Sequence, residues 1–108
     1  MAFILTQKPT FKAPVKVFMP NDNGGHTEST FKATFRLIDI DELTSLRELK
    51  PAEVLRKVMV GFDELIDEDK NKVEFNEDNF SALLLIPQAV SAAYRSFQDN
   101  LIIAKEKN

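Results

Sequence analysis

The chain of 108 residues contains no cysteine and no tryptophan, one histidine, one tyrosine and three glycines. Without cysteine there is no disulfide framework, no thiolate zinc site and no thiol nucleophile, and the composition suits a reducing compartment. The lone histidine, His26, has no second imidazole with which to build a multi-histidine metal site, and no spacing ties it to a serine nucleophile. It stands in a glycine-rich turn and reads as an exposed loop residue. Gly24-Gly25 is followed by neither the spaced glycines nor the Lys-Ser/Thr pair of a phosphate-binding loop, so it is turn chemistry. Basic charge is also scarce. Fourteen Lys and Arg against 17 Asp and Glu give a net charge of −3, spread along the chain, with no basic stripe for a phosphate backbone. No apolar run is long enough to span a membrane, and Met1 to Lys8 lacks the basic region and apolar core of a signal peptide. The expectation is a soluble intracellular protein with neither a nucleic-acid nor a membrane partner.

What is abundant is apolar surface: 44% of residues are hydrophobic and nine are Phe, enough for one modest core and one domain over residues 1–108. Residues 1–12 form an arm with a short apolar cluster, Phe3 to Leu5, and Pro9; it is either flexible or adds a strand elsewhere. From Phe11 the period is two, with Phe11, Ala13, Val15, Val17 and Met19 on one face and Lys12, Pro14 and Lys16 on the other. Pro14 cannot donate a ladder hydrogen bond, which places this strand at an edge. Pro20 to Gly25 is a turn cluster, and a second alternating run puts Phe31, Ala33, Phe35 and Leu37 on one face. These runs predict an antiparallel β-hairpin over residues 13–38.

The period then lengthens to about 3.6. Asp39 or Asp41 can cap a helix carrying Leu43, Leu46 and Leu49, and Pro51 marks its end and the first turn of the next. That second helix is expected to carry Val54, Leu55, Val58, Met59 and Phe62 on one stripe, with Gly61 near its stop. An acidic, turn-like stretch runs from Asp63 to Phe75. Asn76 or a neighbour caps a third helix with Phe80, Leu83 and Leu84, and Pro87 either kinks it or opens a fourth bearing Val90, Ala93, Tyr94, Phe97, Leu101 and Ile102. A hairpin followed by a helical part of about four helices over residues 39–108 predicts an α+β fold, with helices on one face of a small antiparallel sheet. Two strands alone are marginal, so the arm or a partner chain is expected to complete the sheet, and homo-oligomerisation stays open.

The residues from Asp67 to Asp78 come nearest to a metal site. Asp67, Asp69 and Asn71 occupy the first, third and fifth positions of a calcium loop, but Lys72 stands where the turn wants glycine, Glu74 is charged and Asp78 replaces the bidentate Glu. The stretch reads as a solvated turn, for which alanine at Asp67 or Asp69 leaves stability nearly unchanged. Carboxylate pairs such as Glu42 with Glu48, or Asp63 with Glu64, sit on charged surfaces that give a general acid no buried setting. No catalytic residue, metal or cofactor is therefore expected. Apolar residues outside the regular pattern are the candidates for protein contact: Phe3, Ile4 and Leu5 in the arm, Phe18 on the polar face of its strand, and Leu101, Ile102 and Ile103 at the far end of the last helix.

In order and spacing, the segments Met1-Ala2-Phe3, Pro9 to Val15, the strand with Phe31 and Phe35, Val60-Gly61-Phe62-Asp63, Phe75 to Leu84, Ile86 to Val90, the Tyr94 to Phe97 helix and the basic tail resemble a family of phage tail assembly chaperones over nearly the whole chain. Phe62, where many relatives carry Trp, and Lys72, where a turn Gly is common, depart from the pattern. The resemblance implies a non-enzymatic factor in the bacterial host cytoplasm that engages the tape measure protein, with tail tube subunits open as a second partner, before the tube polymerises. It also implies absence from the finished virion. The alternative is a structural tail component, a completion or connector protein built into the particle. A small enzyme or calcium-dependent regulator, resting on His26 and the 67–78 loop, is the third reading.

Overall fold

Both alternating runs form strands, β1 (Thr10–Pro20) and β2 (His26–Arg36), in a computed structural model that describes residues 1–101. They pair antiparallel without a break from Thr10 opposite Arg36 to Pro20 opposite His26. Odd-numbered residues of both strands fill one face: Phe11 lies opposite Phe35, Ala13 opposite Ala33 and Val15 opposite Phe31, and Val17 is buried beside them. The turn is held by the Asn21 side chain, whose Oδ1 accepts from the N–H of Asn23 (3.0 Å) and of Gly25 (3.1 Å). Gly24 takes the left-handed conformation there (φ +79°), which costs an L side chain about 1–2 kcal/mol. β2 ends at Arg36, and beyond it Ile38 packs against the core while Leu37 is exposed rather than on the inner face with Phe35.

Asp39 caps α1 (Ile40–Leu46), its Oδ1 accepting from Glu42 N at 2.8 Å. Pro51 opens α2 (Pro51–Val58), where a missing N–H costs nothing. The helical stripe expected to run to Phe62 stops at Val58. Residues Met59–Asp63 are instead a third strand, β3, antiparallel to β2, so the sheet order is β1-β2-β3 with β2 in the centre. The pairing slips between Thr34 and Phe35: Gly61 lies opposite Thr34 and Met59 opposite Phe35, which leaves Val60 as the extra residue of a β-bulge. The bulge lets Met59 and Phe62, three residues apart, both face the core, and that spacing imitates a helix. The sheet is thus completed by residues 59–63 and not by the arm.

Asn76 caps α3 (Glu77–Leu83), accepting from Asn79 N at 2.8 Å. Pro87 opens α4 (Pro87–Leu101) after a short turn through Leu84 to Ile86. α4 lies across β1 and against α2, burying Ala89, Ala93 and Phe97. Phe97 meets Phe35 at 5.2 Å and Phe11 at 6.3 Å between ring centroids, joining the helix layer to the sheet. A second aromatic chain runs from Phe31 through Phe62 and Phe75 to Phe80, with the Arg56 guanidinium 5.5 Å from the Phe80 ring centre. Full burial of Phe35, Phe97 and Leu55 contributes about 1.5–3 kcal/mol each, enough to make this junction the centre of stability.

Candidate protein-binding site along the first strand

The ladder between β1 and β2 fixes which backbone groups of β1 remain free. At its ends Leu37 N donates to Pro9 O (2.8 Å) and Asn21 N to Gly25 O (3.0 Å). Both bonds belong to the odd-numbered series. In an antiparallel pair, alternate residues exchange both bonds, so the even residues of β1 from Thr10 to Pro20 direct their N–H and C=O away from β2. Pro14 and Pro20 fall in this outward series, where the missing N–H breaks no ladder bond, as expected for an edge strand. The outward Pro14 carbonyl accepts from Ser96 Oγ at 2.7 Å, a clasp between α4 and the sheet edge made by the one polar side chain within the described core.

Two open grooves follow this edge. One, of about 640 Å³, lies between Pro14, Lys16 and Phe18 of β1 and Gln88, Ala92, Arg95 and Asp99 of α4. The other, of about 570 Å³, is bounded by Ile4, Gln7, Lys8, Thr10, Lys12 and Leu37, and Asn100 touches both. Phe3, Ile4 and Leu5 are 82%, 68% and 89% exposed, and Phe18 is 52% exposed. The arm leads into the start of the strand at Thr10, about 27 Å from Phe18 at 3.4 Å per residue. Leu101 is half-buried, packed on the core beside Phe97 and Tyr94. Ile102 and Ile103 lie outside the described residues.

The edge is basic although the chain is acidic. Lys8, Lys12, Lys16 and Arg95 line the grooves against one carboxylate, Asp99, and none of the four cations forms an ion pair among the described residues. The ion pairs lie elsewhere. Arg36 holds Glu42 through both terminal guanidinium nitrogens, hydrogen bonds that raise the guanidinium pKa above its ordinary value, while its Nε donates to the Lys57 carbonyl at 2.9 Å. Arg56 pairs with Glu77 at 3.0 Å; hydrogen bonds from Ser81 first, then from Arg56, hold the Glu77 carboxyl below the usual glutamate range. Asp63 faces Lys72 (3.9 Å) and Glu64 faces Lys32 (3.8 Å), so those neighbouring acids are matched with lysines rather than with each other.

The Asp67 loop is a turn closed on itself. Asp67 Oδ1 accepts from the N–H of Asp69 and of Asn71, both at 2.9 Å, and Lys70 carries the left-handed backbone (φ 64°). The carboxylate thus organises backbone, which gives Asp67 a role that Asp69 lacks. No group of three or more His, Asp or Glu among the described residues is placed to hold a metal ion. His26 is exposed at the hairpin end, opposite Pro20. No helix among the described residues is long and apolar enough to cross a membrane.

Ser96, Arg95, Lys12 and Lys16 were not singled out by their sequence context. The one available signal was Pro14 in an alternating run, which marks the edge but not what flanks it. Among the described residues, the α+β chain presents a strand edge with no further strand on it, flanking grooves and exposed apolar side chains at both ends, the features by which an extended polypeptide can be held. The sequence model of the phage tail assembly chaperone family matches residues 1–108, the whole chain. This protein belongs to that family. No curated protein and no solved structure matches it.

Proposed function

We propose that this chain binds the tape measure protein during tail assembly in the host cytoplasm, with tail tube subunits as a second client, and that it does so without catalysing a reaction. The family match over residues 1–108 carries this reading. The exposed arm residues Phe3, Ile4 and Leu5, with Phe18, support it as the apolar surface a client would cover. Burying the three arm side chains supplies about 1.5–3 kcal/mol each, while association itself costs at least about 4 kcal/mol. The surplus suits a complex that must later come apart. A net charge of −3 keeps such a complex soluble.

The test is co-expression with the tape measure protein of the same phage. The two are expected to co-purify, and the partner to gain solubility; the absence of both effects overturns the proposal. Mass spectrometry of purified particles is expected to find no copy of this chain, whereas stoichiometric amounts identify a structural tail component instead.

A further inference from the structure

We propose that the free edge of β1 at Lys16 and Phe18 takes an extended, carboxylate-bearing polypeptide segment as a fourth strand of the sheet. That the segment comes from a tail protein rests on the function proposed above; the recognition itself rests on the edge. Lys16 and Phe18 belong to the outward series, so each presents an N–H and a C=O away from β2, and together they offer up to about four ladder bonds. The stretch is bounded on both sides by prolines. Pro14 has no N–H and its carbonyl is taken by Ser96, and Pro20 has no N–H. A strand added here lies about 4.8 Å from β1, in the groove of about 640 Å³ whose other wall is α4.

Charge selects the occupant. Lys16 and Arg95 flank the groove and Lys12 and Lys8 continue the line, four cations against Asp99 among the described residues, on a chain of net charge −3. Residues of an added strand opposite Lys16 and opposite Phe18 are two apart and share a face, whichever way the strand runs. The matching segment therefore carries a carboxylate and an apolar residue at positions i and i+2. A second copy of this chain does not supply that pattern. The outward-facing side chains of its β1 include Lys12 and Lys16 and no carboxylate, so edge-to-edge pairing brings cations together.

The experiment uses the full chain and a blocked heptapeptide of threonines with glutamate at its fourth position and valines at its second and sixth, so that either strand direction sets glutamate opposite Lys16 and a valine opposite Phe18. NMR is expected to show shift changes and slowed exchange at the Lys16 and Phe18 amides. Lys16→Glu, and separately a peptide with lysine in place of glutamate, are each expected to weaken binding about tenfold, the scale of turning a cross-strand charge pair from attractive to repulsive. Phe18→Pro removes an outward donor without touching the β2 ladder and is expected to abolish the protection. Should that variant fail to fold, the exposed Lys16→Glu change carries the test. The proposal is overturned by no binding up to millimolar peptide, by binding that Lys16→Glu leaves unchanged, by equal binding of a short single-stranded DNA, or by a free chain already dimeric with both amides protected. Peptide failure with the tape measure protein still co-purifying removes this inference alone; peptide binding without any tail partner removes only the proposed client.

Discussion

Replacing Ser96 with alanine deletes one hydroxyl from α4 and with it the 2.7 Å bond to the Pro14 carbonyl. A net intramolecular hydrogen bond is worth about 0.5–1.5 kcal/mol, and a carbonyl left dry costs about 1–3 kcal/mol. Pro14 is exposed and lines the open groove, so water reaches its carbonyl and the lower range applies. Alanine also returns a few tenths of a kcal/mol in helix propensity. The net expectation is a loss of about 0.5–1 kcal/mol, or a fall in Tm of about 2–6 °C for a chain of this size. Ser91→Ala, at an exposed position of the same helix, is the control because it gains the propensity and loses no hydrogen bond seen in the structure. Thermal melts followed by circular dichroism compare the two. A Ser96→Ala protein that melts with or above Ser91→Ala refutes the clasp between helix and sheet edge.

Phe97→Ala empties the site where α4 meets Phe11 and Phe35 and is expected to cost about 3–5 kcal/mol, much of a small domain's stability, read as a lowered denaturant midpoint in urea. Asp67→Ala frees the amides of Asp69 and Asn71, whose hydrogen exchange is expected to quicken about five- to tenfold, one net hydrogen bond each, whereas Asp69→Ala leaves the loop unchanged. The carboxyl of Glu77 is held below its usual 4.5, so its contribution is complete above that value and is lost as pH falls through the lowered one. Glu77→Gln is therefore expected to melt earlier than the parent at neutral pH, with the gap closing in strong acid.

Elements whose period stayed constant were legible from the residues alone. The two-residue alternation fixed both long strands and their inward faces, and Asp39, Pro51, Asn76 and Pro87 marked helix starts that the structure keeps. β3 was hidden because the bulge at Val60 puts buried Met59 and Phe62 at a helix-like spacing directly after a real helical stripe. Leu37 departs for a simpler reason: the strand ends at Arg36, and beyond it Ile38 rather than Leu37 turns to the core. Phe18 and the arm stood out as apolar residues on the wrong face or outside any pattern, and both are exposed. The grooves left no such trace. They depend on α4 lying beside β1, which brings Arg95 to Lys16 across nearly the whole sequence, and no local period encodes that approach.

The central claim is that the β1 side of this chain holds a tail protein. Its most direct measurement is co-purification with the tape measure protein for the parent chain beside one in which Phe3, Ile4 and Leu5 are all serine. The account predicts a stoichiometric complex with the parent and a loss of about tenfold or more with the variant, while the circular dichroism melt stays unchanged because the three side chains are outside the core. Equal recovery of the partner with both proteins, or none with either, contradicts it.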